Sequence, residues 1–372
     1  MRLIIYASFT SVVEKPESIV TPMNERPNNA TPSRERCVTS YPTRRRYRPG
    51  VVFPPAVPGV ADMYDIHCHA HEGQQDALSL AKLASQSHMR GILYKTVSSN
   101  ITGEYRPARD VAALNDALHV WAETEGVAPI TCYAGYGITM DNRPPSLQRL
   151  RENLADGIAA VWLPVFNHAN TLNTVGGLVR WWDASAQPGE HSEPLPWDLA
   201  VARGYYMLEA NGKLKAEYAE YIRAIADAGV ALFTGHATHP EIWAIADLCD
   251  SIGFCQTVID HPFSPFIDLT IAEMQHLAGR GITLNFTFDE LSPLIGIDPA
   301  KMYAAIRAVG PEHCTLSSDA GEPLFPHSVE CMRLISGYMA AFGIDAKEMR
   351  TMCTDNPARL LRVSVLESVT SA

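Results

Sequence analysis

Short apolar segments alternate with longer amphipathic segments from residue 60 to the end of the chain. Segments such as "RGILYKT", "VALFTGH" and "GITLNFT" are rich in β-branched and aromatic residues, which is typical of buried parallel strands. About eight such strand–helix units follow one another, and this rhythm predicts an α/β fold, a (β/α)8 TIM barrel. No dinucleotide-type glycine fingerprint follows the first strand, which disfavours an open doubly wound sheet. The predicted helical stretches are clearest at 74–88, 107–123, 145–155, 239–252, 269–279 and 299–308.

Two parts of the chain depart from this alternation. Residues 1–59 are rich in Pro, Arg, Asn, Ser and Thr without apolar periodicity, so they bury too little surface to offset the entropy of folding. We therefore expect a disordered N-terminal arm over 1–59 and a barrel domain over 60–372. After the fourth predicted strand, a stretch of about 170–214 is too long for a plain connection and indicates a functional insertion.

Composition narrows the class of protein. The formal net charge is -11, whereas a general nucleic-acid binder needs a basic face to neutralise phosphates. No apolar run approaches the roughly 20 residues of a membrane span, and no signal peptide is recognised. The eight cysteines are scattered without a CxxC pair, which is typical of reduced thiols. We expect a cytoplasmic protein that acts on a small molecule, without nucleic-acid or membrane partners and with homo-oligomer formation left open.

Imidazole and carboxylate side chains stand at the ends of four predicted strands. His67 and His69 close the first strand, and their i, i+2 spacing places both on one face of an extended chain. His236, His261 and Asp319 close later strands. Because functional groups of such barrels lie where strands end, these five side chains are predicted to meet at one mouth of the barrel.

This predicted cluster has the composition of a metal site. A single histidine at a strand end is more often structural than a ligand, but several convergent ones favour ligation. Three or four imidazoles and one carboxylate around an open position are typical of hydrolytic Zn, Mn or Fe sites. We therefore expect a divalent metal, with Zn favoured over Mn or Fe.

The sequence around these residues resembles the amidohydrolase superfamily of metal-dependent hydrolases. The resemblance rests on "DIHCHAH", "DHP", "SSDAG" and a closing "TDNPARLL", and it covers the barrel. Within the superfamily, the chain is similar to a poorly characterised branch known as a domain of unknown function. That similarity rests on "GILYKT", "MLEANGKL", "HPFSPFIDLTIAEMQ" and "LSSDAGEP".

The resemblance implies roles for the strand-end residues. It assigns His67, His69 and Asp319 to a first metal. His236 and His261 would bind a second metal or, with one metal, one would ligate and the other would polarise the substrate. One or two metals per chain are therefore compatible with the sequence.

One feature departs from the superfamily pattern. The bridging carboxylated lysine of many binuclear members comes from the fourth strand, but "AAVWLPVFNHAN" contains no lysine. Lys95, at the end of the second predicted strand, is the alternative metal ligand. A structural or substrate-facing role for Lys95 is equally compatible with the sequence.

The implied reaction is hydrolysis of an amide, cyclic amide, ester or lactone. A divalent cation lowers the pKa of bound water from 15.7 to roughly 7, which supplies hydroxide at neutral pH. Asp319 would then transfer the proton, and His261, if it is not a ligand, would stabilise the oxyanion. Non-oxidative decarboxylases and hydratases of the same superfamily use a similar ligand set and remain the alternative. A non-catalytic barrel with a structural metal is disfavoured.

Other residues carry weaker expectations. We predict second-sphere or substrate-facing roles for His71 and His168, and a small buried apolar role for Cys68. The dipeptide Asn211–Gly212 indicates a hairpin with a primed turn. In the insertion, aromatic side chains could cap a substrate or pack onto the barrel, and two arginines could bind a carboxylate. These residues are Trp181, Trp182, Trp197, Tyr205, Tyr206, Arg180 and Arg203.

Overall fold

A computed structural model describes residues 58–70, 74–97, 105–140, 144–187 and 189–363. Within them, eight parallel strands pair in the order of the sequence, with helices between successive strands. A parallel bridge between Cys68 and Ala320 brings the end of the sheet back to its beginning. The predicted (β/α)8 barrel is therefore confirmed. The strands are β1 Tyr64–His69, β2 Gly91–Thr96, β3 Thr131–Gly137, β4 Ala160–Trp162, β5 Ala231–Phe233, β6 Thr257–Asp260, β7 Thr283–Thr287 and β8 Cys314–Ser317.

The helices surround this sheet, and several begin with side-chain caps that the sequence supplies. Asp76 and Ser146, for example, accept hydrogen bonds from the first turns of α1 and α3. The helices are α1 Ala77–Gln86, α2 Pro107–Glu125, α3 Leu147–Asp156, α4 Ala169–Thr174, α5 Trp197–Arg203, α6 Ala216–Ala228, α7 His239–Ile252, α8 Ile271–Ala278, α9 Phe288–Leu291, α10 Pro299–Val309, α11 Ser328–Phe342, α12 Ala346–Arg350 and α13 Asn356–Leu361.

Some sequence predictions concern residues beyond this description. Of the arm predicted over 1–59, only residues 58 and 59 are described, so the arm stays a prediction. Among the described helices, none is both long and apolar enough to cross a membrane. The cysteines of the described ranges are all unpaired, and Cys68 is fully buried, as expected of a small apolar side chain.

Strands β4 and β5 are shorter than the apolar runs that predicted them. Pro164 has no N–H to continue a strand ladder beyond β4. After β5, Gly235 adopts φ 61°, where a Cβ would lie 2.5 Å from two backbone oxygens of the loop after β4. Only glycine fits this close approach. His236 therefore lies in the loop, three residues beyond β5, instead of closing the strand.

The barrel interior combines aromatic packing with polar groups. Trp162 and Phe233 stack with ring centroids 4.2 Å apart, and both rings lie against His67. A larger apolar cluster packs the strands against the outer helices. The histidine is thus supported from within the barrel by two fully buried aromatic side chains.

The segment after β4 contains the short helices α4 and α5 and packs its own aromatic residues. The Trp197 and Tyr206 rings lie 5.3 Å apart, and the Arg203 guanidinium lies 5.1 Å from the Trp182 ring. Between Leu208 and Leu214 an isolated antiparallel bridge encloses a tight turn.

That turn differs from the primed type predicted from its Asn-Gly dipeptide. Gly212 alone adopts a positive φ, 79°, and its N–H donates to the Glu209 carbonyl at 2.9 Å. Asn211 keeps a negative φ, whereas a type I′ turn needs positive φ at both central residues. The tight connection is present, but its type was predicted wrongly.

The seam between β1 and β8 is tied by a buried carboxylate. Asp65 accepts hydrogen bonds from the Ser318 N–H at 3.0 Å and from the Ser318 and Ser328 hydroxyls, both at 2.5 Å. It is fully buried on β1, and its partners lie after β8 and in α11. This one side chain therefore links the first strand to the last strand and to a helix.

We expect Asp65→Ala to destabilise the barrel strongly. The change removes the acceptor of these three donors and of the His67 N–H at 3.2 Å, and a broken buried polar network costs several kcal/mol. Urea denaturation should show a loss of about 2–5 kcal/mol in the free energy of unfolding. A loss below about 1 kcal/mol would contradict the role of Asp65 in closing the barrel.

Candidate metal centre

The end of β1 and the turn after β8 bring two histidines and one carboxylate together. The Nε2 atoms of His67 and His69 lie 3.1 and 3.4 Å from Oδ1 of Asp319. One donor atom from each residue lies within 4.8 Å of the others. These three side chains, which the sequence places at strand ends, could hold a metal ion.

The separations fit a divalent metal. Bonds of about 2.0–2.1 Å to nitrogen and oxygen, at angles of 90–110°, separate the ligand atoms by roughly 2.9–3.4 Å. The two nitrogen–oxygen separations, 3.1 and 3.4 Å, match these values, and one donor nitrogen from each imidazole lies within 4.8 Å of the other. Nitrogen and oxygen lone pairs held this close repel one another unless a cation or protons lie between them. The donor set therefore matches Zn, Mn or Fe chemistry.

Two further histidines lie beside this group. The Nε2 atom of His261 is 4.0 Å from Oδ2 of Asp319, and the His236 and His261 rings lie 5.3 Å apart. His236 also stacks on Phe266 with centroids 4.4 Å apart. The structure thus brings all five predicted strand-end residues to the same end of the barrel.

Lys95 reaches the same place from β2. Its Nζ lies 3.2 Å from Nε2 of His67 and 5.7 Å from the centroid of the Trp162 ring. Burial lowers the pKa of Lys95, although Asp319 and Asp260 act in the opposite direction. The one lysine that the sequence placed at a strand end therefore touches the candidate metal group.

Neighbouring hydroxyl groups orient the imidazole rings of His69, His236 and His261. Thr171 Oγ1 lies 2.7 Å from Nδ1 of His236 and donates its own hydrogen to the Val165 carbonyl. The hydroxyl must therefore accept from Nδ1–H, which leaves the Nε2 lone pair of neutral His236 free. Hydroxyls also contact Nδ1 in two further pairs: His69 with Thr96 at 2.8 Å and His261 with Ser264 at 3.0 Å.

Two of these residues have unusual backbone conformations. His261 directly follows β6 with φ 32°, and Asp319 follows β8 by two residues with φ 48°. Side-chain-bearing residues rarely occupy this region, and each instance costs of order 1–3 kcal/mol. Such strain is concentrated at functional sites, and here it coincides with the two residues predicted to take part in chemistry.

The charge states suit metal binding at neutral pH. Burial lowers the pKa of His69 and of His261 to about 4, so both rings are neutral. Burial by itself would raise the pKa of Asp319, but His67, His69 and Lys95 outweigh it and hold that pKa well below its usual value. Neutral imidazoles and an ionised carboxylate are the forms that bind metals.

A cavity of about 540 Å³ opens above the group. His69, His261 and Asp319 are among its lining residues, together with Lys95. The walls include the loop side chains Met140, Val165, Phe166, Val175, Leu178, Phe266, Leu294 and Phe325. A cavity of this size is typical of sites for small organic molecules.

The aromatic residues of the insertion do not belong to this cavity. Trp182, Trp197, Tyr205 and Tyr206 are not among its lining residues, nor are the two arginines considered for carboxylate binding, Arg180 and Arg203. Their packing within the insertion therefore supports the packing interpretation over the capping one.

His168 proves to be a structural residue. It is fully buried, caps α4 through Nδ1, and places Nε2 3.1 Å from Oε1 of Glu241. His168 does not line the cavity and none of these bonds reaches a candidate metal ligand, so neither the substrate-facing nor the second-sphere role expected of it is observed. His71, the other residue of this expectation, lies outside the described residues.

Sequence reasoning missed two acidic residues of the site. Asp260, fully buried, lies 3.1 Å from Nδ1 of His67, and Asp289 lines the cavity. Burial raises the pKa of Asp289, and Asp319 raises it further. A charged residue inside the apolar segment "QTVIDHP", directly before a candidate ligand, is the signal that could have identified Asp260.

Comparison with known proteins agrees with this architecture. Residues 62–285 match a family of unknown function, DUF6282. The chain belongs to the DUF6282 family. The predicted similarity to a domain of unknown function is thereby confirmed. No curated protein matches this DUF6282 chain.

Solved structures share the fold of this DUF6282 protein at low identity. An amidohydrolase from Pseudomonas aeruginosa aligns with a TM-score of 0.50 and 11% identity, covering 81% of this chain and 96% of its own. The probable dipeptidase PvdM from the same organism aligns with a TM-score of 0.50 and 13% identity, covering 80% and 94%. At such identities the similarity establishes the barrel fold alone.

A buried acid beside the site gives a prediction for pH. Glu290 in α9 accepts hydrogen bonds from the N–H groups of Phe263 at 2.7 Å and Thr287 at 2.9 Å, and burial raises its pKa to about 8. The folded protein then holds a proton that an unfolded chain, with a glutamate pKa of about 4.3, releases. Its stability contribution is present below the ordinary pKa and is lost as the pH rises through the folded value.

We therefore expect the stability of metal-free protein to fall between about pH 5 and pH 8. Glu290→Gln keeps the size of the side chain but cannot titrate, so the fall should be smaller in that variant. Urea denaturation at both pH values measures the difference. Equal pH slopes for both proteins would contradict the raised pKa of Glu290.

Proposed function

We propose that this protein is a metal-dependent hydrolase of amide, cyclic amide, ester or lactone bonds. The observation that carries the proposal is the group of His67, His69 and Asp319, whose donor atoms have metal-ligand spacing below a small-molecule cavity. A divalent ion held there would lower the pKa of a coordinated water and polarise a carbonyl group. Zn²⁺ suits the donor set best, with Mn and Fe as the alternatives.

The two oxygens of Asp319 would have different tasks. Oδ1 faces His67 and His69, whereas Oδ2 faces His261 at 4.0 Å. Oδ1 is therefore suited to ligation. Oδ2 remains available to accept a proton from the attacking water and to deliver it to the leaving group.

The outer histidines and the lysine would complete the site. His236 and His261 would hold a second metal or, with one metal, one would ligate and the other would polarise the substrate. His261 lies near Oδ2 of Asp319, where it would stabilise a developing oxyanion. Lys95, in contact with His67, would serve either as a ligand after carboxylation or as a cation facing the substrate.

The cavity indicates a substrate with an apolar portion. Phe166, Val175 and Leu294 line it, yet they are 46%, 49% and 61% exposed. Large apolar side chains left exposed together at a cavity mouth are typical of a binding surface. We therefore propose a small molecule whose apolar part covers these residues while its reactive bond reaches Asp319.

A lyase reaction is the second candidate. Lys95 is the one cation among the described lining residues of the cavity, and a carboxylate substrate would place its charge there. A screen of amides, lactones and aromatic carboxylic acids with metal-replete protein separates the two reactions. Release of carbon dioxide would favour decarboxylation.

Metal content tests the site directly. Purified protein should contain about one or two equivalents of Zn, Mn or Fe per chain by elemental analysis. The double variant with His67→Ala and His69→Ala should lose that metal while circular dichroism still reports a folded barrel. Full catalytic activity in metal-free wild-type protein would exclude the proposal.

Asp319→Asn separates ligation from proton transfer. The amide keeps the size and one ligating oxygen but removes the basic group, so metal binding should weaken modestly. We expect kcat to fall at least about 10²-fold with little change in KM, and the acid limb of the pH profile to disappear. The kcat and KM of this variant are compared with those of Asp289→Asn, which alters the other aspartate that lines the cavity. Near wild-type kcat in metal-loaded Asp319→Asn enzyme would remove Asp319 from the role of base.

A further inference from the structure

A buried carboxylate behind the candidate metal group accepts two hydrogen bonds and contacts an imidazole nitrogen of that group. Asp260, the last residue of β6, is fully buried. Oδ2 accepts from Nε1–H of Trp162 at 2.7 Å, and Oδ1 accepts from the side-chain amide of Asn285 at 2.8 Å. The third contact joins Oδ1 to Nδ1 of His67 at 3.1 Å. The carboxylate thus connects β1, β4, β6 and β7 inside the barrel.

The amide of Asn285 cannot turn to serve another partner. Its Oδ1 accepts from the hydroxyls of Thr315 at 2.8 Å and Ser317 at 2.9 Å. The Nδ2 group is therefore committed to Asp260. Because indole nitrogen also only donates, two of the donors around Asp260 are fixed by their chemistry.

The opposite side of His67 sets its tautomer. Nε2 lies 3.2 Å from Nζ of Lys95, and an ammonium group can only donate a hydrogen. The same Nε2 also lies 3.1 Å from Oδ1 of Asp319, so a cation held between these two atoms requires the lone pair on Nε2 and the proton on Nδ1. The contact of Nδ1 with Asp260 is bent rather than linear, but Nδ1 has no other acceptor among the described residues.

We propose that Asp260 is a positioning residue that holds His67 with its proton on Nδ1 and its Nε2 lone pair directed at the metal. This inference rests on the proposed metal-dependent function and adds a residue to it. A carboxylate behind a ligating imidazole fixes the ring and strengthens nitrogen donation to the metal. Asp260 itself does not touch the metal or the substrate.

A carboxylate is required here because its neutral isostere brings its own donors. An asparagine at this position offers one acceptor oxygen and one NH₂ group to three surrounding donors. If the NH₂ faces His67, the ring must move its proton to Nε2, which is the atom needed for ligation. If the NH₂ group faces Trp162 or Asn285, two hydrogen-bond donors point at each other in a buried network, and neither has an acceptor.

The experiment compares two buried carboxylates that each contact a histidine. Asp260→Asn is matched by Glu241→Gln, since Glu241 lies 3.1 Å from Nε2 of His168, a residue outside the metal group. Zn²⁺ affinity is measured by competition with a chromogenic chelator on the full-length protein. We expect Asp260→Asn to weaken Zn²⁺ binding about 10–100-fold and Glu241→Gln to leave it within about 3-fold.

A second measurement needs no folded variant at position 260. Nitrogen-15 chemical shifts of the imidazoles in Zn²⁺-loaded wild-type protein report which ring nitrogen carries the proton, with His67→Gln used to assign the signals. We expect His67 to carry its proton on Nδ1. A proton on Nε2 in a neutral ring would overturn the proposal, and so would equal Zn²⁺ affinity in wild type and Asp260→Asn. A wild-type protein that binds no metal would instead overturn the proposed function.

Discussion

The geometry of the candidate site depends on the seam where the last strand meets the first. The N–H of Asp319 donates to the carbonyl of His67 at 2.8 Å, and the N–H of His69 donates to the carbonyl of Ala320 at 2.7 Å. The three proposed metal donors are therefore fixed to one another by backbone hydrogen bonds before any ion binds. Asp65 in β1 accepts a hydrogen bond from the Ser318 N–H and so joins the same two chain segments. Closing the barrel and assembling the donor group are consequently one event.

A site of this kind requires polar side chains inside the barrel. His67, Asp260 and Asn285 are fully buried where apolar side chains would pack more simply. Each finds partners across neighbouring strands, which limits the free energy lost on burial. A polar network that spans several strands admits few alternative arrangements. The polar interior therefore contributes rigidity to the donor group, which catalysis requires more than added stability.

Much of the fold and part of the site could be predicted because both follow local rules. Apolar periodicity predicts the strands, and the tendency of barrels to carry functional groups at strand ends leads to His67, His69 and Asp319. What escaped prediction depends on contacts between distant residues. The structural role of His168 needs Glu241, 73 positions later. The loop position of His236 follows from a close approach between two backbones, which no periodicity reports.

The backbone strain at His261 and Asp319 has a consequence for how the site would work. Both residues adopt positive φ values just beyond a strand, at 32° and 48°. An extended continuation of the strand would alternate side chains between the two faces of the sheet. A left-handed residue breaks this alternation and redirects the side chain. At Asp319 the result is one oxygen facing two imidazoles and the other facing His261. The strain would thus separate the oxygen proposed to bind the metal from the oxygen proposed to accept a proton within a single carboxylate.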